Sequence, residues 1–529
     1  MAQTTENSAR TQRPRWRLLG ALALLGATAI VVAWLWPAES RQQQVMRSGM
    51  AAVAAFALLC LWVLFASKLR LGVRCGVVAT VAATGLLVYS TVRVVGVSGD
   101  LVPVLGWRYA RTTAPAAPPP STGNTVPSPN SVSPPRWLAT TTDYPQFLGR
   151  HRDGEVAGVE LAKNWEARPP RELWRKPVGE GWSSFAIVGE LAFTQEQRGD
   201  SECVVCYTLA SGKEVWVHGD LTRYENLIAG IGPRATPTVA AGTVFSLGAT
   251  GRLNALDATN GTPKWQRDVI ADDETKTPEW GVSSSPLIHG GRLLVHVNGR
   301  LVAYDPETGE RLWRTDADRW GYASPVVATL AGVEQVVSFQ GRRVSGHDPS
   351  SGATLWSHPW DTHHPTASQP RATGPTRLFV SSGYGTGCEL LDIRADADGA
   401  LAVTSVWKTK RLKAKFTNVI VRGEFAYGLD DGVLVCLDLK SGERRWKSGR
   451  YGHGQTLGVG SLLLIQAESG DVVLLEANPG ASRKLGRLHA LNEKTWNHAV
   501  LAGNRLLVRN DREAACFELP LAGAEKGRP

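Results

Sequence analysis

Only three Met and seven Cys occur among 529 residues, and charged side chains make up 20% of the chain. Seven Cys is too few for a disulfide-held scaffold of this length. No two Cys are adjacent and no C-x-x-C-H appears, so no covalently bound c-type haem is implied. A phosphate-binding G-x-x-x-x-G-K-[ST] loop, a G-x-S-x-G elbow and an H-E-x-x-H zinc site are also missing, which leaves nucleotide-dependent and hydrolytic readings without support. With 43% hydrophobic residues the chain is not disordered. What it has in quantity is Trp and Gly, 19 and 55 residues, a composition that suits a β-rich protein better than a helical enzyme. The length fits two to four ordinary domains, or one large β structure with attachments.

The formal net charge of +10 invites a nucleic-acid reading, but its distribution argues otherwise. Residues 1–111 carry twelve Lys and Arg against three acids, and everything after them nets only +1. The same N-terminal fifth holds three uncharged runs, at 18–36, 50–66 and 75–92, each at or just under the length that crosses a bilayer as a helix. The alternative for the first run, a cleaved signal peptide, finds no good small-x-small site after Trp36. Four Arg precede the first run, and Lys68, Arg70 and Arg74 lie between the second and third. By the positive-inside rule the N-terminus is cytoplasmic and the rest of the chain lies on the far side of the cytoplasmic (inner) membrane, in the periplasm or its equivalent. Residues 112–136 form a Pro-, Ser- and Thr-rich linker: eight of the 24 residues from Thr112 to Pro135 are Pro and none is charged, the composition of an extended spacer. A folded domain is expected over 137–520, with a tail at 521–529.

That domain is repetitive. The string D-x-x-x-G-x-x-x-W recurs at Asp257–Trp265, Asp305–Trp313, Asp348–Trp356 and Asp438–Trp446. Looser copies begin at Thr208, Asp392, Glu476 and Glu518; the copy from Glu476 carries Lys484 in the Trp slot, and the one from Glu518 lacks its last strand. Successive copies start 38 to 49 residues apart, room for four short strands each. Each Asp-x-x-Thr-Gly is a turn, and the Trp after it is placed to pack between neighbouring blades. The strand missing from the eighth copy is supplied by Glu172–Val178, which matches the post-turn strand of the others. Pairing it with the last copy closes a ring of eight blades and removes two open sheet edges.

This repeat resembles that of the quinoprotein (PQQ-repeat) propellers, whose blades carry A-x-D-x-x-T-G-x-x-x-W and dock through the Trp. The likeness covers about two-thirds of the chain. With the N-terminal helices and the stretches WSSFAIVGELAFTQEQRG (182–199) and GRYGHGQ (449–455), it is most similar to propellers attached to membrane helices in planctomycete bacteria. The resemblance implies an all-β, eight-bladed quinoprotein-like propeller. For function it implies a ligand-binding or protein-interaction module, as in the propeller lipoprotein of the outer-membrane barrel-assembly machine. The other branch is a PQQ-dependent alcohol dehydrogenase, which would need PQQ with Ca²⁺. The adjacent Cys pair that such dehydrogenases commonly set against the cofactor is missing here.

In a propeller, the loops into the inner strands and the hairpins between second and third strands share one face, and the D-x-x-T-G turns lie on the other. The first face is expected to carry ligand contacts. Its candidates are Arg234, Trp280, Lys415, Asn418, His453, Gln455, Trp496 and Asn497. Arg234, Lys415 and His453 would pair with an anion, and Trp280 and Trp496 would stack on a planar one. Metal-ligand or base candidates for a dehydrogenase are Glu196, Asn418, Asp430 and Asp431. The opposing reading is that polar residues before inner strands satisfy buried backbone groups. Cys206, Cys436 and Cys516 sit two residues before the first repeat position and read as core fillers. Cys203 and Cys206 are expected on opposite strand faces, and His363–His364 in a plain Pro-rich loop. The implied partners are a membrane and either a protein or a small anionic ligand, with no nucleic acid.

Overall fold

The structure, a computed structural model, describes residues 16–109 and 140–523. Three of the four leading Arg, the spacer expected at 112–136 and most of the expected tail lie outside them. The chain divides into two units, split after Thr112.

The first unit contains three helices, Trp16–Leu35, Arg41–Ala66 and Leu71–Thr91, each long and apolar enough to cross a membrane. The second begins nine residues before the uncharged run that announces it, because Ser40 caps it by accepting the Gln43 amide hydrogen. A short hairpin follows the third helix, Val92–Val97 paired with Pro103–Trp107, and has no counterpart in the sequence reading.

The second unit is an eight-bladed β-propeller. Blade 1 runs from the inner strand Ala186–Val188 through Leu191–Arg198 and Ser201–Thr208 to Glu214–Asp220. Blades 2 to 7 follow in sequence order. Blade 8 takes three strands from the C-terminus (Val500–Ala502, Arg505–Arg509, Glu513–Glu518) and its outer strand, Arg171–Pro177, from before blade 1. The ring therefore closes as the repeat required. Separate apolar clusters fill the junctions, such as the one shared by blades 2 and 3 and the one shared by blades 6 and 7. Cys203 lies in the cluster of blades 7, 8 and 1, and Cys206 in that of blades 1 and 2, on opposite faces of their strand.

The repeat motif is a docking device. The Gly of each full motif has φ between +66° and +76°, a conformation that favours glycine. A Cβ there would also strike the Trp of the preceding blade: 2.8 Å for Gly212 against Trp174, and 2.7 Å for Gly309 against Trp265. The indole lies on bare backbone, and its Nε1–H donates to a carbonyl of the same turn in Trp174 (to Leu209, 2.9 Å) and Trp265 (to Pro306, 2.8 Å), though not in Trp313. Three junctions depart from this pattern: at the first, Trp446 donates to Asn478 O but Gly480 does not lie beneath its ring. Blade 5 has an extended turn without the Gly, and Trp356 instead donates to Gln335 within its own blade. In blade 7 the residue opposite Leu474 is Gly486 rather than Lys484, because the turn is longer. Trp165, from outside the repeat, lies over Gly486 and supplies the indole that the blade lacks.

Ring closure also rests on a buried ionic network. Glu196 accepts from Arg198 (3.0 Å), the Tyr207 hydroxyl (2.6 Å) and the Gly179 amide (2.8 Å). Arg509, fully buried, donates to Thr194 (2.7 Å), Gln195 O and Gly179 O (both 2.9 Å), tying blade 8 to blade 1. Burial opposes ionisation of Glu196 most strongly. Arg198, Arg509, Tyr207 and Gly179 together outweigh it and hold the carboxyl below its usual range. Glu196→Ala removes the buried carboxylate between Arg198, which keeps Glu214 (2.8 Å), and Arg509, which keeps its carbonyls, and is expected to cost about 3 kcal/mol. The native advantage of Glu196 is complete above the ordinary Glu pKa and disappears as pH falls through the lower native value. Urea unfolding of the full chain in detergent should therefore show a steeper acid loss in wild type than in Glu196→Gln; equal slopes would contradict the network.

Candidate functional site

The inner strands converge on a hub with two mouths. The mouth on the side of the inner-strand turns is crossed by residues 143–156, a segment that precedes the first blade. Tyr144 pairs with Ile187 of blade 1, and Pro145 O accepts the Val239 amide of blade 2. The buried Arg152 guanidinium donates to Ser285 O (2.9 Å) and Pro286 O (2.7 Å) at blade 3. Asp153 pairs with Arg371 of blade 5 (3.4 Å), and Glu155 with Arg422 of blade 6. Glu155–Val156 then adds a parallel strand to blade 7, and Phe147 meets His498, before the inner strand of blade 8, edge-on at 5.0 Å. Burial pulls Arg152 down to about 9 and His498 down to about 3. The sequence reading assigned nothing to this segment. Its signal was the dense mixture of aromatic, Gly and charged residues in Tyr144–Glu155, unlike a spacer.

The opposite mouth is the funnel where the site candidates lie. A belt of Ser and Thr side chains joins successive inner strands: Thr236 Oγ1 accepts from Ser184 N, Ser285 Oγ from Thr236 N and Ser324 Oγ from Ser285 N, while Thr456 Oγ1 donates to Asn418 O. Two candidates join the belt. Gln455 donates to Phe416 O and Trp496 O, and Asn497 to Gly181 O and Ser183 O. Arg234 spends its guanidinium on Gly232, Ala229 and Gly230 carbonyls, and burial pulls it down to about 10. These contacts match the reading in which polar residues before inner strands serve the backbone.

The remaining candidates fall into two aromatic groups rather than one. Trp496 lies tilted against Trp182 (4.9 Å) and edge-on to Phe416 (5.3 Å), with His453 beyond Phe416 at 5.6 Å. Lys494 sits over both indoles, 4.1 Å from the Trp496 centroid and 4.9 Å from that of Trp182, and burial lowers its pKa. Trp280 stacks on Tyr322 (5.2 Å) and approaches Tyr384 (6.4 Å), whose ring lies under Lys415 (4.4 Å) and against His364 (5.1 Å). The chain's own cations thus cover the Trp496–Trp182 pair and the Tyr384 ring.

The acids expected to hold Ca²⁺ beside PQQ do not converge. Glu196 is committed to Arg198, Tyr207 and Gly179. Asp430 is gripped between Lys413 and Lys447, and Asp431 also meets Lys413 (3.5 Å). Asn418 lies against Gly154 of the hub segment, and its buried Nδ2 makes no hydrogen bond. Among the described residues no group of three His, Cys, Asp or Glu could hold a metal. The residues present do not fit a quinone–calcium centre. Burial pushes the Cys203, Cys388 and Cys516 thiols up to about 12, so they are protonated core groups.

Comparison with known proteins agrees with this architecture. The family described as "Outer membrane protein assembly factor BamB" matches residues 200–448. No curated protein matches the chain. Among solved structures, a europium-containing methanol dehydrogenase is similar at 12% identity and TM-score 0.54, over 72% of this chain and 98% of that one. The quinohemoprotein alcohol dehydrogenase from Comamonas testosteroni is similar at 13% identity and TM-score 0.50, over 74% and 82%. BamB from Moraxella catarrhalis gives 15% identity and TM-score 0.49, over 66% and 100%. At these identities the shared property is the fold.

Arg152→Ala removes the donors to Ser285 O and Pro286 O, of which only Pro286 O keeps another in Thr238 Oγ1, and is expected to cost about 1–3 kcal/mol. Hydrogen exchange on the full chain should show the loss of protection concentrated in residues 143–156 and the inner strand of blade 7; an unchanged pattern there would contradict the contacts of Arg152.

Proposed function

We propose that this PQQ-like, BamB-type propeller is a membrane-anchored extracytoplasmic scaffold that binds protein partners on its funnel face. The observation that carries the reading is a contrast on that face. Arg234 and the amide nitrogens of Gln455 and Asn497 serve the backbone and Lys415 and Lys494 cover aromatic rings, whereas the loops around the funnel expose Leu221 (87%), Leu227 (66%) and Trp320 (39%). Exposed large apolar side chains on a polar rim are what a protein contact uses. The three apolar helices and the asymmetry of Lys and Arg around them support anchoring with the propeller outside the cytoplasm. The match to an assembly factor supports a role in assembly rather than chemistry. Propellers following membrane helices are also the plan implied by the sequence resemblance to planctomycete-type proteins.

The test has two arms. Cross-linking in membranes should capture a defined partner with wild type and lose it with Leu221→Glu/Leu227→Glu. Addition of PQQ and Ca²⁺ to the full chain should give no bound-quinone absorbance; stoichiometric tight binding would sink the scaffold reading. A reporter fused after Pro529 should be active outside the cytoplasm, and cytoplasmic activity would refute the three-span topology.

A further inference from the structure

Each blade presents to the preceding one the residues one and three places before its repeat position. In blade 3 these are Tyr304 and Val302, in blade 6 Leu437 and Val435, and in blade 7 Leu475 and Val473, all in apolar inter-blade clusters. Blades 2 and 5 break the rule at one place, with Asn254 and Glu389, and blade 4 breaks it at both, with His347 and Ser345. The cross-strand neighbour of Ser345 is Ser338, again polar. Blades 3 and 4 leave between them a cavity of ≈ 340 Å³, with Thr354 and Ser357 on its wall.

The imidazoles fix the chemistry of its floor. His347 Nδ1 lies 3.2 Å from Gly352 O, which only accepts, so Nδ1 carries the proton and Nε2 accepts from Ser345 Oγ at 2.8 Å. His296 repeats the arrangement, with Nδ1 2.8 Å from Ala323 O and Nε2 accepting from Ser338 Oγ at 2.9 Å. Burial favours the neutral form of both rings. Each serine hydroxyl proton is thereby committed, and two adjacent oxygen acceptors face the cavity. At the mouth, Arg343 pairs with Asp318 (2.8 Å) and Arg314 with Asp273 (2.6 Å), while the carboxylate of Asp316 stands exposed. An anion would meet committed cations and a repelling acid, and would lose its hydration on a neutral floor. A ligand rich in hydroxyls brings donors matched to these two acceptors.

We propose that the cleft between blades 3 and 4 binds a neutral polyhydroxylated molecule of monosaccharide size, whose hydroxyls donate to Ser338 and Ser345. The volume is at the low end of the ~300–1,000 Å³ of small-molecule sites. The cleft shares no residue with the funnel clusters, so the proposal stands or falls independently of the scaffold reading.

The test is saturation-transfer NMR and titration on the full chain in a detergent free of sugar headgroups. The probes are glucose, N-acetylglucosamine and myo-inositol, with glucose 6-phosphate as the anionic control. At least one neutral probe is expected to bind with a Kd of about 1 mM or tighter, and the phosphate ester about tenfold more weakly. Ser345→Val/His347→Leu, which restores the apolar pair of blades 6 and 7, should abolish binding while leaving Tm unchanged or higher. Ser338→Ala, a smaller change, should weaken binding about tenfold and serves if the double variant misfolds. The proposal is overturned if no neutral probe saturates, if the phosphate ester binds better, or if Ser338→Ala binds like wild type.

Discussion

An indole needs a flat surface free of side chains, and a Gly held at positive φ provides one. The second unit is organised around that single fit. At five of the eight junctions the Trp of one blade rests on the Gly of the next, and these contacts lock the blades in order around the ring. The geometry is demanding in two ways at once, since a Cβ would both strain the turn and collide with the ring. Trp174 on Gly212 makes the same contact across the closing junction, where the first strand of the propeller completes the last blade. Closure then removes the open edges that would otherwise template aggregation.

The exceptions are instructive because each is compensated. Trp356 has no Gly to rest on and turns to Gln335. Blade 7 has no Trp in register and receives Trp165 from the segment before the ring. That same N-terminal region sends residues 143–156 across the hub. A chain segment that would otherwise only lead from one unit to the next becomes the piece that fills the middle. The two terminal nitrogens of its buried guanidinium donate to carbonyls at the start of blade 3 that the sheet leaves free.

These contacts bear on what the funnel can do. A site for a planar anionic cofactor needs cations and carboxylates held in waiting. Here Lys494 and Lys415 lie on aromatic rings, Arg234 on carbonyls, and Asp430 between two lysines. Such groups contribute to the stability of the ring, and redirecting them to a ligand would leave rings or carbonyls uncovered. Departures from the repeat, such as the polar face of blade 4, are better places to look for binding than the polar residues the repeat itself explains.

Composition and period were sufficient for much of this. The three uncharged runs show as helices, and the spacing of Asp, Gly and Trp carries eight blades and their closing strand, because each is a local pattern repeated along the chain. The pairing of Cys203 and Cys206 with different clusters follows from strand alternation alone. What sequence could not resolve was which polar groups face each other across the hub. Arg234, Gln455 and Asn497 look the same whether they await a ligand or serve a carbonyl, and the choice depends on backbone brought together from distant blades. Nor could the repeat place Tyr144–Val156 or Trp165, which belong to no period. The sequence by itself determined the ring; only the tertiary structure decided that the chain fills its own hub, because that depends on long-range packing that no local spacing encodes.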